Sequence, residues 1–146
     1  MKKILTILCF FLTLIISGCQ CTLHTHYYND YGKCGVCGHD IAQELVYENE
    51  EYSSLVQSVK QGETYYYKFI SHAESSIDFY LESEIVKFNR IEIRSEGMLQ
   101  TMPTRNDDTY KFYSYNQALS NERTYYLKVT YTGEGSIKII IKNKNY

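Results

Sequence analysis

The sequence predicts an all-β fold, an antiparallel β-sandwich of jelly-roll-like strand order over residues 54–146, and three observations predict it. From Ser54 onward apolar residues recur at every second position, the signature of strands with one buried face. Turn residues cut these runs into seven or eight short segments, and no helical period of comparable length competes. The chain carries 16 Tyr and 6 Phe, and aromatic side chains cover a pleated, half-buried surface well.

The first element is a signal helix over residues 1–18. Lys2 and Lys3 precede an apolar run from Ile4 to Ile16 that ends in Ser17-Gly18-Cys19. A bilayer-spanning helix needs about 20 apolar residues, so this run is short for a span and has the basic-then-apolar order of an export signal. Ile16-Ser17-Gly18-Cys19 resembles the lipobox of bacterial lipoproteins. That resemblance implies cleavage before Cys19 and a diacylglycerol on its sulfur, whose two acyl chains bury enough methylene groups for durable anchoring where one chain would give only marginal binding. The expected location is the extracytoplasmic side of a cell membrane. Gln20 is not the Asp that marks inner-membrane retention in two-membrane bacteria.

Residues 19–40 form the second element. Cys9 leaves with the signal, which leaves Cys21, Cys34 and Cys37 within a histidine-rich stretch. The order Cys21-x-x-His24, then Cys34-Gly-Val-Cys37-Gly38-His39, resembles a small zinc-ribbon or zinc-knuckle segment. A two-residue spacing lets one tight turn aim both sulfurs at one ion, and glycine tolerates the backbone angles of such a turn. The expected ligands are Cys21, His24, Cys34 and Cys37, with His26 the alternative to His24 and His39 a weaker candidate. Four such ligands close the site, so the zinc is expected to be structural, not catalytic. A Cys34-Cys37 disulfide and a redox pair are the competing readings, although no helix pattern follows Cys37 as a thioredoxin-like site would require.

Residues 41–53 are rich in glutamate and read as a linker. Thereafter Tyr65, Tyr67 and Phe69 alternate, as do Ile77, Phe79 and Leu81. Ile91 and Ile93 lead into Ser95-Glu96-Gly97, a turn from which Met98 and Leu99 start a returning strand. Tyr110 and Phe112 mark a further strand. Tyr125, Leu127, Val129 and Tyr131, a Gly133-Glu134-Gly135 turn, and Ile137, Ile139 and Ile141 are expected to form a terminal hairpin.

Val59-Lys60-Gln61-Gly62-Glu63-Thr64-Tyr65-Tyr66-Tyr67-Lys68-Phe69, with Leu119 and Thr124-Tyr125-Tyr126-Leu127-Lys128-Val129, resembles the bacterial pre-peptidase C-terminal domain over about residues 54–142. Those domains are non-catalytic β-sandwich appendages of secreted enzymes, and some bind collagen, carbohydrate or calcium. Glu122 stands where the late motif has glycine, and no catalytic domain accompanies the sandwich here.

Function follows by exclusion and by surface chemistry. No nucleophile elbow, phosphate loop or metalloprotease helix motif occurs, and His72 lies in a polar loop, so no enzyme is expected. The net charge of -2, about -4 once Lys2 and Lys3 leave, argues against nucleic acid. Asn106-Asp107-Asp108 could offer oxygens to calcium. Tyr66 and Tyr126 point away from the expected core and are candidate ligand contacts. The expectation is a membrane-tethered binding module for an envelope polysaccharide, peptide or protein. The alternative is a structural accessory subunit with no small ligand.

Overall fold

The computed structural model describes residues 25–95, 98–101 and 111–144. The expected signal helix, Cys19, Cys21, His24 and the Asn106–Asp108 stretch lie outside these residues. Two compact units divide between Asp40 and Ile41. No helix among the described residues is long and apolar enough to cross a membrane.

The second unit is built from β1 (Gln43–Glu44), β2 (Val46–Glu48), β3 (Glu51–Ser53), β4 (Gln57–Val59), β5 (Thr64–Ile70), β6 (Ile77–Glu82), β7 (Lys87–Ser95), β8 (Met98–Thr101), β9 (Phe112–Tyr115), β10 (Thr124–Thr132) and β11 (Gly135–Asn143). One sheet has the order β1-β5-β10-β7-β8, the other β2-β3-β11-β6-β9, with β4 also paired to β11. From β4 onward the chain changes sheet at every connection except the β7–β8 hairpin, and this alternation is the jelly-roll order. Pairing is antiparallel throughout the main strands; the short β1 lies parallel to β5.

Alternation placed the core correctly on most strands. Tyr67 and Phe69 on β5, Ile77, Phe79 and Leu81 on β6, Ile91 and Ile93 on β7, and Leu127, Val129 and Tyr131 on β10 are all buried in one cluster. Each fully buried side chain of this size contributes about 1.5–3 kcal/mol, so the cluster is the main source of the fold's stability.

Three expectations are corrected. The terminal hairpin does not form: β10 pairs with β5 and β7, whereas β11 pairs with β3, β4 and β6. The apolar faces of β10 and β11 belong to opposite sheets that share one core. Alternation reports which face is buried, not which strand lies alongside. Gly133-Glu134-Gly135 is therefore a crossover between sheets; Gly135 has φ 147, and a β-carbon there would sit 3.5 Å from the Val86 side chain.

The strand expected at Tyr110 and Phe112 has its inward phase on the odd positions instead. Tyr113 and Tyr115 pack against the core and Phe112 is 47% exposed. With Phe112 on one phase and Tyr113 and Tyr115 on the other, both phases offer aromatic residues, and pairing with β6, Phe79 opposite Tyr113, decides between them.

Residues 41–53 are not a bare linker. They supply β1 to one sheet and β2 and β3 to the other, with Leu45 and Tyr52 buried in the core. Their glutamates conceal this because β1 and β2 end their sheets and are largely solvent-facing.

Candidate functional site

The first unit builds a knuckle around Cys34. The Asn29 side-chain oxygen accepts from the backbone N–H groups of Tyr31 and Lys33 at 3.0 and 3.1 Å, which closes a tight loop ahead of the cysteine. After it, the Gly38 N–H donates to the Cys34 carbonyl at 2.9 Å and the Cys34 N–H to the His39 carbonyl at 2.8 Å. Gly38 has φ 72, the left-handed conformation that glycine adopts without a steric cost.

The turn sets Cys37 near Cys34, and the Asn29 loop with the Tyr28–Cys34 bridge lays His26 beside them, so that the three ligand atoms all lie within 4.8 Å of one another. The Cys37 sulfur lies 3.6 Å from His26 Nδ1. The two cysteines are not disulfide-bonded, and Cys34 is buried. Two sulfurs and an imidazole form a donor set that could hold a metal ion, and soft thiolate with imidazole suits zinc. His39 lies tilted against His26, ring centroids 5.1 Å apart, without joining the ligand set.

On the sandwich a groove runs beside β1 and β2. Its main hollow, about 390 Å³, is lined by Val46, Tyr47, Tyr52, Ile70 and His72 with Glu44 and Leu45. Val46 is 48% exposed, Tyr47 38% and Ile70 47%, so large apolar groups face solvent together. An aromatic series leads from this surface into the core: Tyr47 meets His72 at 4.5 Å and Tyr52 at 4.7 Å, and Tyr52 meets Phe69 at 4.8 Å. The Tyr52 hydroxyl accepts from the His72 backbone N–H at 2.7 Å. Burial pushes the Tyr52 phenol up despite that bond, so it stays neutral and holds the His72 loop in place.

His72, expected as an ordinary loop residue, is exposed yet set against two tyrosines. Sequence reasoning missed Val46, Tyr47 and Ile70. The first two lie in the stretch read as a linker, and Ile70 ends a strand whose odd positions drew the attention. Tyr66 and Tyr126 do lie on the outer face of β5 and β10, but Tyr126 is only 8% exposed, so it presents little ring to a ligand. It lines a second hollow with Lys68 and Thr124 that shares Glu44 and Ile70 with the first. Tyr66 is half-buried and lines neither hollow.

No family model matches the sequence, and no curated protein matches it. The pre-peptidase C-terminal and zinc-ribbon resemblances are therefore not carried by a family match. Solved structures with a similar fold include periplasmic inhibitors of g-type lysozyme, PliG. The Salmonella Typhimurium protein is 13% identical with a TM-score of 0.44, covering 70% of this chain and 100% of its own. The Aeromonas hydrophila protein is 11% identical with a TM-score of 0.47, covering 70% and 96%. A mutant of the Escherichia coli inhibitor is 14% identical with a TM-score of 0.39, covering 69% and 96%. Likeness at this level says nothing about what this chain binds.

Proposed function

We propose that this chain is a lipid-anchored, non-catalytic binding module on the extracytoplasmic side of a bacterial membrane, and that its sandwich holds a protein or peptide ligand. The observation that carries this reading is the groove beside β2, where Val46, Tyr47 and Ile70 stand exposed together around a hollow of about 390 Å³. That volume is in the range of side-chain-sized and small-ligand sites. Branched aliphatic groups favour a polypeptide over a sugar, whose hydroxyls require polar partners on several sides. The groups whose titration the fold shifts most are buried tyrosines, moved away from neutrality, which suits binding better than acid-base chemistry.

Zinc fits the knuckle as a structural ion. His26, Cys34 and Cys37 would hold it, with Cys21 and His24 the further candidate ligands. A segment this small has little core, so the ion would supply most of its folding free energy.

A photo-crosslinking residue at Tyr47 should capture a protein on intact cells, while the same residue at Glu134 should not, and Ile70→Asp should abolish the capture. A glycan-array signal lost in Tyr126→Ala with no crosslink from Tyr47 would replace this reading with polysaccharide binding. A stable envelope complex indifferent to Ile70→Asp would favour the accessory-subunit role. The anchor has its own test: Cys19→Ala should release the protein from membranes or leave an uncleaved precursor. Unchanged membrane association of a cleaved product contradicts the lipid anchor.

A further inference from the structure

The groove beside β2 is apolar inside, with Glu44 and Glu50 in its lining, and a cation, Lys68, lines the adjoining hollow on the β5 side, opposite Glu44. Across Tyr47 from the main hollow lies another, about 230 Å³, lined by Glu50, Ala73, Ser75 and Asn143. Glu44, Glu48, Glu50 and Glu74 are all exposed on the chain segments that form these two hollows. Among the described residues none of the four is in an ion pair, whereas Glu51 next to them is tied to Lys142 at 2.9 Å. Carboxylates of one sign around a low-dielectric surface attract cations and repel anionic polymers.

The backbone adds a second kind of partner group. β2 ends its sheet among the described residues and is paired only with β3, Tyr47 opposite Tyr52 and Glu48 opposite Glu51. Asn49 and Glu50, with φ 52 and 65, close this hairpin as a two-residue turn. Such a turn makes Glu48 and Glu51 the hydrogen-bonded pair, and the alternation that follows turns the Tyr47 N–H and carbonyl to the outer edge. An open edge is a template for an added strand, whose alternate side chains can enter neighbouring hollows.

We infer that this groove takes an extended, cationic and apolar segment of a partner protein, with an apolar side chain in the hollow of Val46, Tyr47 and Ile70 and a lysine or arginine at Glu50. The inference rests on the binding-module reading above and gives that module a site and a ligand chemistry. Area alone would not select the occupant; the charge does, because an acidic rim around an apolar floor complements a basic segment and opposes phosphate- or carboxylate-bearing polymers.

The test is panning of a random peptide library on the full chain in detergent micelles, followed by fluorescence anisotropy with the enriched peptides. Enriched sequences should place an aromatic or branched aliphatic residue beside Lys or Arg, and their binding should weaken as salt rises. The double variant Glu48→Gln/Glu50→Gln should bind about fivefold more weakly, the loss expected for two solvent-exposed ion pairs. Glu50→Gly removes one of these carboxylates at a position with φ 65, where glycine is unstrained, so weaker binding there cannot be assigned to misfolding. N-methylation of alternate peptide amides should also reduce binding if the edge of β2 is used. Enrichment of acidic or uncharged peptides, salt-insensitive binding, or no enrichment at all overturns the inference. If a protein ligand crosslinks instead from the outer face of β10 and these variants bind normally, this site falls while the module reading stands.

Discussion

The hydroxyl of Tyr67 lies 2.8 Å from that of Tyr131, and both rings belong to the core cluster. Both rings are essentially fully buried, on adjacent strands β5 and β10. The Gln57 side-chain amide donates to the Tyr67 hydroxyl as well, so three segments of chain meet at one polar point. A buried hydroxyl without a partner costs about 1–3 kcal/mol, whereas the net gain from a satisfied one is about 1 kcal/mol.

Removing both hydroxyls should therefore cost less than the sum of removing each. Tyr67→Phe should lower unfolding free energy by about 1–2 kcal/mol, because it strands both the Tyr131 hydroxyl and the Gln57 amide, and Tyr131→Phe by about 1 kcal/mol, because Gln57 still serves the Tyr67 hydroxyl. The double variant should lose less than the two single losses combined. Urea denaturation of all four proteins checks this, and strictly additive losses would show that the pair is not coupled.

The same burial makes stability sensitive to alkali. Burial pushes the Tyr67 and Tyr131 phenols well above the ordinary value of 10.0, and pushes Tyr115 up to about 12. In the unfolded chain these groups ionise near pH 10, so above that pH the folded state binds more protons than the unfolded state. The stabilisation is complete below pH 10 and is lost progressively as pH rises, through about pH 12 for Tyr115. Melting temperatures should fall steeply above pH 10, and the Tyr67→Phe/Tyr131→Phe protein should show a shallower fall than the wild type. Equal slopes would mean that other groups control alkaline unfolding.

Glu92 is another buried polar group, on β7, and it is paired with Arg90 at 2.7 Å and Arg94 at 2.8 Å. Breaking a buried pair leaves charge without compensation and commonly costs about 3–5 kcal/mol. Because Arg90 remains half-exposed and can turn to water, the lower end applies here. Glu92→Gln should cost about 3 kcal/mol in thermal or urea unfolding. A loss below about 0.5 kcal/mol would place the pair with weak surface bridges.

The sequence made the core legible because alternation is a direct record of burial. Tyr67, Phe69, Phe79, Leu127 and Ile139 all sit inside as their spacing implies. It did not show that β10 and β11 lie in different sheets, since two inward apolar faces look alike whether they are neighbours or opposites. The site was less legible for a related reason. Cys34 and Cys37 announce themselves by spacing, whereas His26 reaches them only through the Asn29 loop and the Tyr28–Cys34 bridge. Val46, Tyr47 and Ile70 carry no motif, and only the meeting of a sheet edge with the His72 loop makes them a surface.

Glu122 is a non-glycine residue in the left-handed region, with φ 56, a conformation that glycine adopts without a steric cost. Its N–H donates to the Ser71 carbonyl at 2.7 Å, so the conformation is held by a long-range contact. Glu122→Gly should raise stability by about 0.5–1 kcal/mol, since relief of the β-carbon clash outweighs the added freedom of the unfolded chain. A chemical-denaturation midpoint that moves down instead would show that the glutamate side chain supplies a compensating interaction.

The knuckle makes the last prediction, because its ligands must lose protons before they can hold a metal. Native mass spectrometry of the chain from Gln20 onward, prepared reduced and with zinc, should show one added zinc that a chelator removes. Cys34→Ser and Cys37→Ser should each abolish that increment, and His26→Ala should weaken it. Acidification should release the ion, as protons compete for the two thiolates and the imidazole, with no matching loss of sandwich structure, whose core lies in the other unit. Chelation should speed proteolysis within residues 25–40 and leave cleavage of the sandwich unchanged, which separates a structural ion from one bound adventitiously. A mass lower by two hydrogens, with no metal taken up, would instead establish a Cys34-Cys37 disulfide and remove zinc from the account.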